Sequence, residues 1–422
     1  MSFAPSPTEI VATLLFALAI IHTFAVPVFA RQAHKGGSHA GLWHLLAEVE
    51  VVFGVWAFVL LVCMALLAGT NAAVDYMDTR NFTEPLFVFA IMVVAGSRPI
   101  LALVMDAVAA IARRVPFSRS VTTYFITLSL VPLLGSLITE PAAMTLAAIM
   151  LRDTSFRRIE NTRFKYLSIG VLFVNVSIGG VLTAYAAPPV LMVANAFGWD
   201  TAYMATHFGW RAVAAVLINA AVVTVLFRGL LKQHVPDDIE VHRHKIPLPV
   251  AGIHVLFLAG VVLFSHHPAI FMGLFMLFIG YTGAYKQHQD RLMIKEGLLV
   301  GFFLAGLIVL GGLQKWWLQD LLGGMSPVAL YWGAAVLTAL TDNAALTYLG
   351  SLVEGTNEAW RYMLVAGAVT GGGLTVIANA PNPAGFSILK STFPDASISP
   401  LGLLLGALGP TLVAAVFFLL PR

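Results

Sequence analysis

The sequence predicts an all-α polytopic membrane protein with inverted-topology repeats, containing about ten transmembrane helices, two re-entrant hairpins and two broken helices. Three observations carry that expectation. Of 422 residues, 59% are hydrophobic and only 11% charged, whereas a soluble domain carries about 25% charged residues. Apolar runs of bilayer-spanning length, roughly 20 residues each, recur from 10–30 through 401–420 with short polar breaks between them. Two distant stretches also share one short motif followed by one kind of helix interruption.

The elements can be justified in chain order. No basic residue precedes run 10–30, the first being Arg31, so this run reads as a retained helix and not a cleaved signal. Residues 1–120 are expected to be N-terminal transmembrane helices. Their single cysteine, Cys63, lies inside apolar run 58–67 and excludes an intrachain disulfide and a thiolate metal cluster. Segments rich in Lys and Arg mark the cytoplasmic face, and 31–35, 113–119, 152–165, 228–245, 286–295 and Lys390 hold most of the 24 basic residues. The net charge of +3 therefore reports orientation in an inner membrane. The expected partners are the lipid bilayer and small inorganic ions, with no nucleic acid.

Run 121–151 is long enough to leave the cytoplasm, yet it is basic on both flanks. A re-entrant hairpin turning at Thr139-Glu140-Pro141 removes the conflict. Five crossings follow, over 166–195, 204–231, 248–265, 268–284 and 297–313. An odd number places the next hairpin, 327–353 with its turn at Thr341-Asp342-Asn343, on the opposite face. The chain thus divides into a first repeat core, 121–231 (hairpin 121–151, broken helix 166–195), a linker and scaffold, 232–326, and a second core, 327–422 (hairpin 327–353, broken helix 361–389).

The repeat rests on matched residues. The first turn reads Thr139-Glu-Pro-Ala-Ala-Met-Thr145 and the second Thr341-Asp-Asn-Ala-Ala-Leu-Thr347. Each precedes an apolar run broken by small and polar residues, in which Gly179/Gly371, Gly180/Gly372, Leu182/Leu374, Thr183/Thr375 and Pro189/Pro381 align. Interrupted helices at corresponding positions of inverted repeats point to a substrate site. Non-helical backbone survives at that depth only where protein or a water-filled cavity satisfies it.

This order of hairpin tip, helix and Gly-Gly-x-x-Thr break ending in Pro-Pro or Pro-Asn-Pro resembles the ion transporter superfamily. That superfamily includes divalent-anion/sodium symporters, arsenite-pump subunits and D-type sodium/proton antiporters. Thr-Asp-Asn-Ala-Ala-Leu-Thr with Asn-Ala-Pro-Asn-Pro is similar to a sodium/proton antiporter family in particular. The resemblance implies alternating access, a homodimer and no resident cofactor, only transported sodium and protons. In the anion symporters the tips carry neutral Ser-Asn-Thr around sodium. Carboxylates at these tips would repel an anion but suit a site exchanging a cation for a proton.

On that basis Asp342 is expected to carry sodium (or lithium) and protons in turn, since a carboxylate inside a bilayer is a functional-site hypothesis by default. A plainer role is an N-cap for the second half of its hairpin. Glu140 could bind the ion too, or simply favour the positive end of a helix that begins at Pro141. Oxygens of Thr139, Thr341, Asn343, Thr183, Thr375, Asn379 and Asn382 would supplement the carboxylates around a hard cation, although hydroxyls in membrane helices often bond their own backbone. The glycines at 371–373 lack the Gly-Lys-Ser/Thr context of a phosphate loop, which sets ATP hydrolysis aside.

Two further readings compete with antiport. One is sodium-coupled transport of an oxyanion or organic acid held beside Asn379 and Asn382. The other is an intramembrane enzyme or receptor, against which the paired repeat argues. Among the remaining buried charges, Glu48, Asp106 and Arg211 read as structural pairs or snorkelling ends, Glu50 has no assigned role, and Arg98 is expected to meet a carboxylate. His234, His242, His244, His266 and His267 fall in loops, and Trp199, Trp316 and Trp317 read as interfacial anchors.

Overall fold

The computed structural model describes residues 5–235, 246–393 and 396–421, and every regular element within them is helical. The N-terminal part contains α1 (Pro7–His34), α2 (Ala40–Leu46), α3 (Val49–Ala68), α4 (Thr70–Asp78), α5 (Thr83–Ala95) and α6 (Arg98–Arg114). Next come α7 (Arg119–Leu128), α8 (Leu130–Ile138) and α9 (Glu140–Leu151), then α10 (Thr162–Gly179), which ends in a tight turn at Gly180–Leu182 and resumes as α11 (Pro188–Phe197). The chain continues through α12 (Thr201–Met204), α13 (Trp210–His234), α14 (Leu248–Leu263), α15 (Pro268–Ala284), α16 (Ile294–Gly311) and α17 (Lys315–Leu322). A second hairpin, α18 (Pro327–Leu340) and α19 (Asn343–Ser351), precedes α20 (Glu358–Gly371), a break, α21 (Asn382–Leu389) and the last helix, α22 (Pro400–Phe418).

Local chemistry explains where these helices begin. The Ser6 hydroxyl accepts from the Glu9 amide while the Glu9 carboxylate accepts from the Ser6 amide, a reciprocal cap at the start of α1. Asn161, Ser326, Asn357 and Ser399 cap α10, α18, α20 and α22 through the same side-chain-to-amide bond. Pro at the first position of several helices has no amide to leave unsatisfied.

Among the described residues, six helices are long and apolar enough to cross a membrane, and eight if two bent pairs each count as one span. Those pairs are α5 with α6, bent by 62°, and α7 with α8, bent by 41°. Seven spans remain once α7 with α8 is assigned to the first hairpin, so the expected count of about ten would also require α14 and α15, which have 16 and 17 residues, and the broken pair α20 with α21. Leu66, Leu256 and Leu401 point outward, as a lipid surroundings permits because the tails are as apolar as leucine. The chain is therefore a multi-pass helical membrane protein with broken helices.

Contacts between elements define what holds the centre. α3 packs against α1 and α16, and α5 packs against α16, α14 and α15. Elsewhere α8 and α9 pack together and against α10, α18 packs along α20, and α22 lies on both α10 and α13. The halves then exchange partners: α9 packs on α21, and α19 packs on α11. Small residues allow close crossings. A Cβ on Gly170 would lie 2.3 Å from the Gly406 backbone, and one on Gly406 would lie 2.3 Å from the Tyr166 carbonyl.

Several side chains can now be placed. Glu48 pairs with Lys295 at 3.1 Å and Arg98 with Asp290 at 3.2 Å. Among the described residues Arg211 meets no carboxylate; its guanidinium donates to the carbonyls of His207, Leu420 and Pro421, closing the end of α22 against α13. Trp199 is not an interfacial anchor. It is buried, its ring stacked on Tyr203 at 4.8 Å and packed on Phe197 and Phe208, because the chain turns inward after Gly198. Trp316 remains exposed, and Cys63 is half-buried against the core. His234, His266 and His267 are exposed, while His242 and His244 lie outside the described residues.

Candidate functional site

The site is built by two hairpin tips and two helix breaks. At the first tip, Thr139 alone reverses the chain, with φ 75° and ψ 151°. A β-branched residue is rarely found there, and such conformations cost about 1–3 kcal/mol and persist where the surroundings enforce them. At the second tip the turn is shared by Thr341 and Asp342, and Asp342 is ordinarily extended at φ −153° and ψ 144°.

The extra turn residue shifts the equivalence between the hairpins by one position. Gly179 abuts the Pro132 carbonyl and Gly371 the Ala335 carbonyl, where added Cβ atoms would lie 2.7 and 2.2 Å away. The Thr183 hydroxyl donates to the Ser136 carbonyl at 2.7 Å, and the Thr375 hydroxyl donates to the Ala339 carbonyl at 2.8 Å. Gly180 abuts the Glu140 side chain, and Gly372 abuts Asn343. In each pair the hairpin residues stand one position further apart than Thr139 and Thr341. Asn343 therefore occupies the place of Glu140, and Asp342 the place of Thr139. The two acids match in sequence but not in space.

Glu140 is fully buried at the start of α9. One of its oxygens, Oε2, accepts from Asn379 Nδ2 at 2.9 Å, and Oε1 has no hydrogen-bond partner among the described residues. Asp342 lies at the N-terminus of α19, where Oδ1 accepts from the amides of Ala344 at 2.8 Å and Ala345 at 3.1 Å. Its geometry is thus that of an N-cap. The Asn343 amide donates to the Ala378 carbonyl at 3.1 Å. One short break, 372–381, accordingly holds both tips: Asn379 grips Glu140, and the adjacent Ala378 grips Asn343.

The rest of the break is shaped by the same contacts. Asn382 Nδ2 donates to the carbonyls of Gly372 at 2.7 Å and Thr375 at 2.9 Å. Ser177 of α10 donates to the Val369 carbonyl at 2.7 Å, and a Cβ on Gly373 would lie 2.4 Å from the Val174 backbone. Gly372 and Gly373 let the two broken helices cross, while Gly371 fits against α18. The Thr341 hydroxyl bonds the Leu337 carbonyl within its own helix. Of the expected ligands, Glu140, Asn343, Asn379 and Asn382 come together, while Thr183 and Thr375 commit their protons to backbone that fastens the breaks and Thr341 commits its own within α18.

Buried polar atoms left over at this junction are mostly oxygens. Among the described residues, Thr139 Oγ1, Glu140 Oε1, Asn379 Oδ1, Asn382 Oδ1 and both side-chain atoms of Asn343 lack a partner. Buried polar atoms are ordinarily bonded, so such a group fits a cation taken from water by hard oxygen ligands. No group of three or more His, Cys, Asp or Glu side chains suited to a resident metal occurs among the described residues.

One cavity meets the junction and a second meets the first helix break. A cavity of about 40 Å3 beside Asp342 is lined by Glu50, Thr341, Asp342 and Asn379, with apolar walls from Phe53 and Phe303. The other, about 500 Å3, reaches Ala184 and Tyr185 of the first break and is bordered by Glu84, Asp200 and His266. Glu50 was not singled out in the sequence as part of the site. The available signal is a second acid, two residues after Glu48, at the start of an apolar span.

A family described as "Putative Na+/H+ antiporter" matches residues 7–421. No curated protein matches the sequence. Among solved structures, the Alcanivorax borkumensis YdaH transporter aligns over 88% of this chain and 96% of its own, with 14% identity and a TM-score of 0.46. Its broken helices and paired tips agree with a family match that runs through nearly all of its length: this chain belongs to that antiporter family and is a membrane transporter.

Proposed function

We propose that the protein exchanges sodium (or lithium) for protons across an inner membrane by alternating access around the junction of the two hairpin tips. The observation that carries this reading is the single break that holds both Glu140 and Asn343. The recurring order of hairpin, helix, break and helix, with α9 on α21 and α19 on α11, supports an inverted-topology repeat in which each hairpin closes against the other half.

Glu140 is the exchanging group in this reading, a role the sequence alone suggested for Asp342. Its unbonded oxygen, with those of Thr139, Asn343 and Asn382, would hold the cation, while Asn379 holds the second carboxylate oxygen through its Nδ2. A proton and the cation then compete for one carboxylate, so each turnover swaps one for the other. Asp342 stabilises α19 and faces the smaller cavity, where its charge favours a cation over an anion. In this reading the smaller cavity opens toward the cytoplasm, supported by Lys295 of the basic segment 286–295, which pairs with Glu48 beside its Glu50 wall, and the larger one opens toward the outside.

Purified protein in proteoliposomes tests the proposal. Sodium should dissipate an imposed pH gradient, and apparent sodium affinity should weaken as proton concentration rises. Glu140→Gln keeps an oxygen for Asn379 but removes the exchangeable charge, and should abolish exchange. Near wild-type exchange by this variant would overturn the assignment. Sodium-driven uptake of an organic acid without proton movement would replace antiport with symport.

A further inference from the structure

We infer that Glu50 of α3 and Asp342 of the second tip together hold a monovalent cation on the route between the cytoplasm and Glu140. This rests on the transport reading for its direction, but not for the binding itself. Both carboxylates line the same cavity of about 40 Å3, room for one small ion with little water. Apart from Thr23, Thr341 and Asn379 the walls are apolar, with Ile20, Phe53, Phe303 and Leu340 among them, and like charges in such surroundings repel strongly unless a cation or proton lies between them. An independent observation points the same way. Asn379 is fully buried, lines this cavity, and its Oδ1 has no partner among the described residues.

The position of Glu50 gives the site its consequence. Its neighbour Glu48 is held by Lys295 of α16, which fixes the start of α3 against a helix outside the hairpins. Asp342 belongs to a tip, and Asn379 donates to Glu140. A cation between Glu50 and Asp342 therefore joins the N-terminal helices to the hairpin and lies one side chain away from the central carboxylate. Charged groups facing Glu50 are Asp342 across the cavity, Glu48 on its own helix and Lys295 from α16.

Binding of radioactive sodium to detergent-solubilised protein tests the site without any flux. Glu50→Gln and Asp342→Asn should each weaken binding by about tenfold, the loss expected for one charged ligand. Because they share one ion, the double variant should lose little more than either single variant. Glu50→Asp should recover part of the affinity. Unchanged binding in Glu50→Gln, or losses that multiply in the double variant, would overturn the inference. Should Glu50→Gln fail to fold, thiol labelling of Thr23→Cys in a Cys63→Ala background reads the same cavity. Sodium, but not choline, should slow that labelling, and equal rates in both salts would also overturn it. Loss of sodium binding with no proton exchange in the wild type would instead refute antiport while leaving this site standing.

Discussion

Gly180 decides how close Glu140 can come to the break in α10. A Cβ there would lie 2.4 Å from Glu140 Oε1 and 2.5 Å from its Cγ, so Gly180→Ala must push the carboxylate from its place. The expected outcome is loss of exchange with destabilisation of about 1–3 kcal/mol, the usual cost of overfilling a packed site. Gly280→Ala, with nothing within 4 Å of the new atom, should change neither flux nor the thermal unfolding midpoint in detergent. At the C-terminal end of α9, the hydrogen bonds from Arg152 hold the Asp153 carboxyl below its ordinary value, helped by Arg157 and Arg158. A depressed folded value contributes stability above the unfolded value of about 3.9 and loses it as pH falls through the folded one. Asp153→Asn should therefore lower the unfolding midpoint at neutral pH but converge on wild type in acid; a constant difference at every pH would refute the linkage.

Helix ends were legible in the sequence because capping leaves a residue signature, and α10, α18, α20 and α22 all begin after an Asn or Ser that bonds the first turn. The tips were legible as turns but not in register. Thr139 turns the chain alone through a positive φ, whereas Thr341 and Asp342 divide the task, and nothing in Thr-acid-x-Ala-Ala reveals that difference. The bend between α7 and α8 was also hidden, since its support comes from far along the chain. Asn175 Nδ2 donates to the Leu128 carbonyl at 2.7 Å and the Val216 carbonyl at 3.2 Å, while its Oδ1 accepts from Asn219 at 3.0 Å. Asn175→Leu removes all three bonds from a buried position, at about 1–3 kcal/mol for each group left unpaired. The unfolding midpoint in detergent should fall clearly; an unchanged midpoint would mean that the bend is sustained elsewhere. Glu50 escaped notice for the same physical reason, as its cavity is closed by residues from the opposite end of the sequence.

At the scale of the molecule, the question is from which faces the hairpins enter. Their returning arms are short: α9 has 12 residues and α19 has 9, about 18 and 14 Å at 1.5 Å per residue. Neither alone can recross a hydrocarbon core of about 30 Å, which favours tips that end inside it. Because one break grips both tips, entry from opposite faces makes the two arms together span the core with the junction near its middle. Entry from a single face would leave about half the core with no hairpin lining. Thiol labelling distinguishes the cases, with Phe117→Cys and Glu160→Cys flanking the first hairpin and Gly324→Cys preceding the second, all exposed positions, in a Cys63→Ala background. A membrane-impermeant reagent should reach 117 and 160 only in inside-out vesicles and 324 only in right-side-out ones. Reaction of 117 and 160 from different sides would make α7 to α9 a crossing, contrary to the basic flanks on both ends of that segment. Agreement of 324 with 117 would leave the first hairpin re-entrant but abolish the inversion, and with it the symmetric gating that alternating access requires of these repeats.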